Sequence, residues 1–290
     1  MHLPSLLLAA GSAGLVLAQP LTQLGQRAAN KLRFIGVNES GPEFGEGNIP
    51  GRLGTDYTWP DLDSISTFVN KGYNSFRVNF LMERLVPNQM TGSLDAAYLS
   101  DLTQTVDGIT KLGAYAIIVP HNYGRYNGAV ITSTKDFATF WKTVATQFKD
   151  NEKVIFDTNN EFHDESSTLV AELNQAAINA IRSVGATSQY ITVEGNAWTG
   201  AWTWTTTKGT DGKTNGETMV NLTDSVENKL IYQMHQYLDS VCSPCLITDC
   251  KLIALTRTAP VLIQPVCPKP LAANVSKQRQ PGCVTTRRLD

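Results

Sequence analysis

The stretch Val154-Ile155-Phe156-Asp157-Thr158-Asn159-Asn160-Glu161 decides the fold, because an apolar run ends there in a polar Asn-Glu pair. A short apolar run of this kind predicts a fully buried strand. In parallel α/β sheets, ligands bind at the carboxyl ends of the strands. A carboxylic acid beside an amide at that place suits a group that protonates a leaving group. The alternative interpretation is that Glu161 only caps the next helix.

Short apolar runs alternate with longer helical patterns between Lys31 and Tyr237, which is typical of βαβ units and a parallel sheet. The predicted strands cover residues 32–38, 73–79, 114–120, 154–157, 190–194 and 230–235. The predicted helices cover residues 61–71, 95–112, 134–149 (with an N-cap at Ser133 or Thr134) and 166–184. Six β/α repeats favour an α/β fold of the (β/α)₈ TIM-barrel type, here incomplete. A doubly wound open sheet is the alternative, although no glycine-rich phosphate loop follows the first strand.

The 290 residues are 42% hydrophobic, which is enough for one large domain, and their formal net charge of −2 argues against nucleic-acid or membrane partners. Residues 3–18 form an apolar stretch that ends in small residues before Gln19-Pro20. This pattern predicts a signal peptide over residues 1–18 and a secreted, extracellular protein. A transmembrane anchor is the alternative, but the run is shorter than the ~20 residues that span a bilayer. Secretion would expose three glycosylation sequons, at Asn38, Asn221 and Asn274, the first of them deep at a strand end.

The composition changes abruptly near Ser240, so residues 19–240 are predicted to be the barrel part and residues 241–290 a separate, disordered tail. The tail has no Phe, Tyr or Trp, although the whole chain has 24 of them. It holds six of the 13 prolines and all five cysteines: Cys242, Cys245, Cys250, Cys267 and Cys283. No strand or useful helix is predicted there. The cysteine spacings fit no zinc template, so disulfides in a secreted chain are the simpler interpretation.

Polar residues follow the predicted strands at their carboxyl ends, which form the active-site face of (β/α)₈ barrels. They are Asn38-Glu39, Arg77, His121-Asn122, Asn160-Glu161, residues 194–198 and residues 235–237. Core packing does not explain so many polar strand ends, although each histidine alone could be structural. Aromatic residues follow at Tyr123, Tyr126, Trp198, Trp202 and Trp204. Flat rings among amides and carboxylates suit sugar rings, and packing under a long loop is the alternative for the tryptophans.

Five segments carry a family resemblance: residues 76–85 (FRVNFLMERL), 120–126 (PHNYGRY), 156–161 (FDTNNE), 193–202 (VEGNAWTGAW) and 232–239 (YQMHQYLD). They resemble the fungal secreted endo-β-1,4-glucanases of glycoside hydrolase family 5 in sequence, order and spacing. The resemblance covers about residues 34–240. It implies retaining hydrolysis of internal β-1,4-glucosidic bonds on a barrel of eight strands.

The resemblance also assigns roles to single positions. Glu161 matches the general acid/base, and Asn160 matches the amide that binds the sugar 2-hydroxyl. Four more positions match groups that orient the nucleophile or contact the cleavage subsite: Arg77, Tyr237, His121 and His235. The implied substrates are β-1,4-glucans such as cellulose, carboxymethylcellulose and mixed β-glucans, bound with Trp202 and Trp204, with no cofactor or metal and with a monomeric protein.

One departure from the family concerns the nucleophile, a Glu in a Gly-Glu-Phe or Gly-Glu-Tyr after the seventh strand. The chain has neither motif after Tyr237 and no Glu after Glu227. Glu194 is the spare carboxylate at a strand end, but the resemblance gives it another role. We hypothesise that the tail is translated in another reading frame, and we expect weak or no activity. Two alternatives are a non-catalytic glucan-binding protein and an interaction module built on the cysteine tail.

Overall fold

The computed structural model of the protein describes residues 32–237 and the backbone of Val261–Val266. The strands are β1 (Gly36–Glu39), β2 (Ser75–Phe80), β3 (Tyr115–Pro120), β4 (Arg125–Tyr126), β5 (Ala129–Val130), β6 (Val154–Asp157), β7 (Tyr190–Glu194), β8 (Leu230–Tyr237) and β9 (Val261–Val266). The helices are α1 (Leu62–Asn70), α2 (Met82–Leu85), α3 (Ala96–Lys111), α4 (Thr134–Phe148), α5 (Ser167–Ser183) and α6 (Asn215–Thr218), followed by a 3₁₀ turn (Met219–Asn221).

Seven strands form one parallel sheet in the order β1-β2-β3-β6-β7-β8-β9, and β4 and β5 form a separate antiparallel hairpin. A long helix connects each pair of neighbouring strands from β1 to β7, as in a chain of βαβ units. The six predicted strands and four predicted helices are confirmed. The sheet is a curled part of a barrel rather than a doubly wound open sheet.

The tail supplies one strand that the sequence did not predict. β9 pairs in parallel with β8, from Tyr232 opposite Val261 to Tyr237 opposite Val266. The expectation that no strand follows residue 240 was therefore wrong for these six residues. Their apolar, β-branched sequence has strand propensity, which the change in composition around it concealed. The predicted signal peptide, the five cysteines and Asn274 lie outside the described residues.

The long helices begin where a polar side chain caps them. The side chains of Asp61, Asp95, Ser133 and Ser166 accept hydrogen bonds from backbone N–H groups in the first turns of α1, α3, α4 and α5. These groups have no partner within the helix, so each cap contributes about 1 kcal/mol. The N-cap predicted at Ser133 or Thr134 is Ser133.

The strands alternate between two faces of the curled sheet. Residues such as Phe76, Ile118 and Phe156 pack outward against the helices in the main hydrophobic core. The intervening residues point inward, where Ile117 and Ile155 pack with Tyr190, Ile231 and Phe34 in a small apolar layer. Because side chains alternate along a strand, the positions further along the same face also point inward. Most of those positions are polar, among them Arg77, Asp157, Thr192 and Gln233, whereas Val119 is apolar.

No helix within residues 32–237 is long and apolar enough to span a membrane.

Candidate active site

Arg77 lies at the centre of the polar layer inside the curled sheet. Parallel pairing places it opposite Asn38 of β1, and it is only 3% exposed. Its guanidinium donates to five acceptors: Asp157 Oδ2 (2.9 Å), Asn38 Oδ1 (3.0 Å), Asn79 Oδ1 (3.1 Å), Asn160 Oδ1 (2.9 Å) and Glu194 Oε1 (2.9 Å). Arginine has five N–H donors in a rigid fork, so all of them are satisfied. The side chain therefore has one orientation.

Two buried carboxyl groups face this single cation. Asp157 and Glu194 both have zero exposure. Burial raises the pKa of Glu194 well above its ordinary value, and the neighbouring Asp157 raises it further, while Arg77 opposes both effects. Ionisation of Glu194 is therefore less favourable here than in water, as expected when more negative charge is buried than one cation neutralises.

Arg77 also decides how the Asn160 amide is oriented. The guanidinium only donates, so the amide oxygen must face it, and the amide nitrogen is left over. Asn160 Nδ2 is buried and has no hydrogen-bond partner among the described residues. An unpaired buried donor costs about 1–3 kcal/mol. A ligand hydroxyl that accepts a hydrogen bond from Nδ2 offsets this cost, which favours binding at this place.

Glu161 follows Asn160 in a left-handed backbone conformation, with a φ of 51°. Few residues other than glycine adopt this conformation, and strain of this kind concentrates at functional sites. The Glu161 N–H donates to Glu194 Oε2 (2.7 Å), which holds the turn in place. The side chain of Glu161 is 10% exposed, so its carboxyl group reaches the surface of the cleft.

The Glu161 carboxyl group is bound to His235 on β8. Its Oε1 lies 2.6 Å from His235 Nδ1, and His235 Nε2 lies 3.2 Å from the amide nitrogen of Gln233. Because that amide donates to Nε2, the ring proton of the neutral imidazole lies on Nδ1 and points at Glu161. Oε1 is then occupied as an acceptor, and Oε2 remains to carry and transfer a proton.

Aromatic side chains line the cleft beside Glu161. Burial raises the pKa of Tyr123 to about 12, and the nearby Glu161 carboxylate adds to the effect. The half-buried His121 packs edge to face on Tyr123, with ring centroids 5.1 Å apart. On the other side, the loop after β7 pairs with β8 at His235, and Trp202 packs edge to face on Tyr237 at 6.0 Å.

The comparisons with known proteins agree on one family. The sequence profile described as "Cellulase (glycosyl hydrolase family 5)" matches residues 37–248. The "Probable endo-beta-1,4-glucanase B" of Aspergillus kawachii is 55% identical over 240 residues, which are 83% of this chain and 69% of the relative. The "Endo-beta-1,4-glucanase A" of Emericella nidulans is 56% identical over 226 residues, or 78% and 67% of the two chains. The chain belongs to glycosyl hydrolase family 5.

Solved structures of family 5 enzymes have the same curled sheet. XacCel5A in complex with cellopentaose superposes with a TM-score of 0.69 at 37% identity, over 73% of this chain and 67% of that chain. Cel5A (EG2) from Hypocrea jecorina superposes with a TM-score of 0.64 at 32% identity, over 73% and 68%. The family assignment and the incomplete TIM-barrel fold predicted from the sequence are confirmed.

Four of the predicted family 5 site residues form a single hydrogen-bonded network, namely Arg77, Asn160, Glu161 and His235. His121 packs on Tyr123 and Trp202 packs on Tyr237, and Tyr123 lies near both Glu161 and Tyr237. Glu194, the alternative nucleophile, is fully buried, with Arg77 and Gln233 donating to its Oε1 and Glu161 N–H to its Oε2. Neither oxygen is free to attack a sugar carbon.

The structure corrects the prediction that Trp204 binds the sugar chain. It is 3% exposed and packs edge to face on Tyr232 at 6.4 Å, within the main core. Trp202 is 38% exposed. The two tryptophans are two residues apart, and the turn that contains them directs one toward solvent and the other toward the core. The alternative interpretation, packing under a loop, was right for Trp204.

Sequence reasoning missed a stacked pair, His163 and Trp198. Their rings are parallel, 4.7 Å apart, and Trp198 is 46% exposed. Three consecutive residues, Ala197, Trp198 and Thr199, have positive φ angles, and the Trp198 N–H donates to Phe162 O. Trp198 was among the aromatic residues considered, but its exposure and its stacking on His163 depend on this left-handed turn. The sequence did not predict that turn.

Glu165 is a buried carboxyl group outside the catalytic network. Both its oxygens are buried without a hydrogen-bond partner among the described residues, and Arg125 Nη1 is 3.6 Å away. Burial raises the pKa of Glu165 to about 7, Arg125 opposes this, and Asp164 adds to it. Among residues 32–237, no three His, Cys, Asp or Glu side chains are arranged to hold a metal ion.

The raised pKa of Glu165 predicts that this group contributes less to the stability of the protein at neutral pH than at acidic pH. A carboxyl group whose folded pKa is above its unfolded value binds its proton more tightly in the folded state, so stability falls as the pH rises from about 4.5 to 7. Glu165→Gln should therefore raise the free energy of unfolding at pH 8 by on the order of 2 kcal/mol and change it little at pH 4. Urea titrations at both pH values measure this, with exposed Glu172→Gln as control. An equal effect at both pH values would contradict it.

Proposed function

We propose that the chain is the acid-bearing part of a retaining endo-β-1,4-glucanase, with Glu161 as proton donor. Retaining glycosidases use two carboxyl groups about 5–5.5 Å apart, one to protonate the leaving oxygen and one to attack the anomeric carbon. The observation that carries the proposal is the hydrogen bond from His235 to Glu161 Oε1. It leaves the second oxygen of a partly exposed carboxyl group to deliver the proton.

The remaining groups bind and orient the sugar. Asn160 Nδ2 is an unpaired donor next to Glu161, which supports its assignment to the sugar 2-hydroxyl. Exposed Trp202, held beside Tyr237, offers a flat apolar face to a pyranose ring. Cellulose-type chains alternate such faces with hydroxyl groups, so the cleft suits β-1,4-glucans, including mixed β-glucans. The protein acts as a monomer in this proposal.

The sequence has no counterpart of the glutamate after the seventh strand that the family resemblance implies as the second carboxyl group of the retaining pair. No Glu follows Glu227, and Glu194 is buried with both oxygens occupied. Without an attacking carboxylate, no glycosyl-enzyme intermediate forms. This favours a second candidate function for the chain, which is glucan binding without hydrolysis.

Cellulose pull-down beside carboxymethylcellulose turnover separates the two candidates. We expect the 290-residue protein to bind amorphous cellulose without releasing reducing ends. Trp202→Ala should weaken binding roughly three- to tenfold, because an aromatic contact is worth about 0.5–1.5 kcal/mol beyond its area. Val220→Ala, which truncates another exposed apolar side chain, is the control. If the native 290-residue protein and the Val220→Ala control both fail to bind cellulose, the proposed glucan site is wrong.

We also propose that the protein is secreted, cleaved after Ala18 and glycosylated at Asn221. Asn221 is exposed at the end of the 3₁₀ turn, whereas the Asn38 amide is held between Arg77 and Ser40 Oγ in the cleft. Secretion from a fungal host, followed by peptide mass spectrometry with and without glycosidase, tests this. We expect a mature protein starting at Gln19 and a glycan on Asn221 but not on Asn38. An uncleaved intracellular protein would overturn the proposal.

A further inference from the structure

We infer that Glu43 and Asn79 are positioning residues, which fix the orientation of Arg77 and through it the Asn160 amide. Both are buried, with exposures of 6% and 0%. Neither was a candidate from the sequence, and both act through Arg77 rather than on a ligand. The inference uses the proposed function only where it identifies Asn160 as a sugar-binding amide.

The amide of Asn79 lies between the Arg77 guanidinium, which is a donor, and the Glu43 carboxylate, which is an acceptor. Its Oδ1 accepts from Arg77 Nη1 (3.1 Å), and its Nδ2 donates to Glu43 Oε1 (2.9 Å). A guanidinium can only donate and a carboxylate can only accept. The amide therefore has one satisfactory orientation, and the Glu43 carboxylate selects it.

The loop around Glu43 fixes the position of its carboxylate. Its Oε2 accepts from the Gly41 N–H (2.7 Å). The carbonyls on either side, Pro42 O and Gly45 O, accept from the guanidinium of Arg84 at 2.7 and 3.0 Å. Arg84 is itself 2% exposed. The backbone that carries Glu43 is thus fixed by a second buried arginine, and its carboxylate is pre-set.

Arg77 connects the Asn79 amide to the Asn160 amide. Nη1 of Arg77 donates to Asn79 Oδ1 as well as to Asn38 Oδ1, and Nη2 of the same planar group reaches Asn160 Oδ1 (2.9 Å). If the Asn79 amide turns over, its NH₂ group meets Nη1, and two donors face each other. To relieve this contact the guanidinium, which is still held by Asp157, Asn38 and Glu194, shifts away from Asn79, and this disturbs the contact of Nη2 with the Asn160 amide. Glu43 therefore acts on Asn160 through two intermediate side chains.

Complementary substitutions separate this role from ordinary packing. In Glu43→Gln, one oxygen must serve both the Gly41 N–H and the Asn79 amide, so one contact is lost. In Asn79→Asp, an acceptor meets the Glu43 carboxylate. The double variant Glu43→Gln/Asn79→Asp restores the pattern, because the glutamine NH₂ donates to the aspartate and the aspartate accepts from Arg77. Its net charge equals that of the native protein.

The direct test is the side-chain amide signal of Asn160 in ¹H–¹⁵N spectra of the 290-residue protein. The signal is assigned by its loss in Asn160→Ala. We expect it to shift or split in each single variant and to return near its native position in the double variant. An unchanged signal in folded single variants, or a double variant no closer to native than the singles, would overturn the inference.

Titration with cellotetraose adds a functional readout. Each single variant should lose roughly tenfold in affinity, and the double variant should recover to within about threefold. Asn160→Ala should cost the native protein affinity but cost Glu43→Gln nothing further, since residues in one network are not additive. If the native protein does not bind cellotetraose, the proposed function fails, whereas the Asn160 signal still decides whether Glu43 and Asn79 position the amide.

Discussion

Replacing residues 241–290 with the C-terminal segment of a family 5 relative, which carries the Gly-Glu-Phe strand, will raise carboxymethylcellulose hydrolysis roughly 10⁴-fold or more over the 290-residue protein. The physical reason is the missing attack on the anomeric carbon. In the proposed mechanism Glu161 protonates the leaving oxygen, but among the described residues Glu194 cannot attack, because both its oxygens are bound inside the sheet. Reducing-end assays on both purified proteins measure the ratio.

Glu161→Ala in the restored protein is the matched control. It should abolish turnover of carboxymethylcellulose yet leave the first step on an aryl β-cellobioside with a good leaving group nearly intact, because such a leaving group needs no proton. Equal loss on both substrates would contradict the role of Glu161 as acid. Comparable hydrolysis by the restored and the 290-residue proteins would contradict the missing nucleophile.

Arg77→Ala will destabilise the protein by about 3–5 kcal/mol, which is a large fraction of the stability of an ordinary domain. The substitution removes the cation that faces Asp157 and Glu194 and leaves the amide oxygens of Asn38, Asn79 and Asn160 without it. The midpoint of thermal unfolding should fall by on the order of 10 °C. Circular dichroism measures it.

Arg52→Ala, at an exposed position, is the control for loss of a surface arginine and should leave the midpoint nearly unchanged. The midpoint of Arg77→Lys should lie between those of Arg52→Ala and Arg77→Ala, because an ammonium group cannot reach five acceptors arranged for a planar guanidinium. An Arg77→Ala midpoint within 2–3 °C of the native one, which is about 1 kcal/mol, would show that the buried network contributes little.

The parallel sheet could be predicted from the sequence because each strand is a short apolar run between amphipathic helices. The same alternation placed Asn160 and Glu161 at a strand end, and the family resemblance placed Arg77 and His235 beside them. Both predictions depend on local periodicity, which a single sequence records well.

Other features depend on contacts between distant residues. The bond between Asn79 and Glu43 joins positions 36 residues apart, and no spacing predicts it. The burial of Trp204 and the exposure of Trp198 follow from how one loop folds back on β8. The β4–β5 hairpin was missed although its turn is Asn127-Gly128, both with positive φ, which is a strong hairpin signal.

Incubation of the purified 290-residue protein with cellotetraose, followed by ¹H NMR of the anomeric protons, tests the central claim most directly. If Glu161 is a proton donor without an attacking partner, the tetrasaccharide will stay intact in both the native protein and its Glu161→Gln variant. Rapid cleavage that first releases the β-anomer and disappears in Glu161→Gln would contradict it.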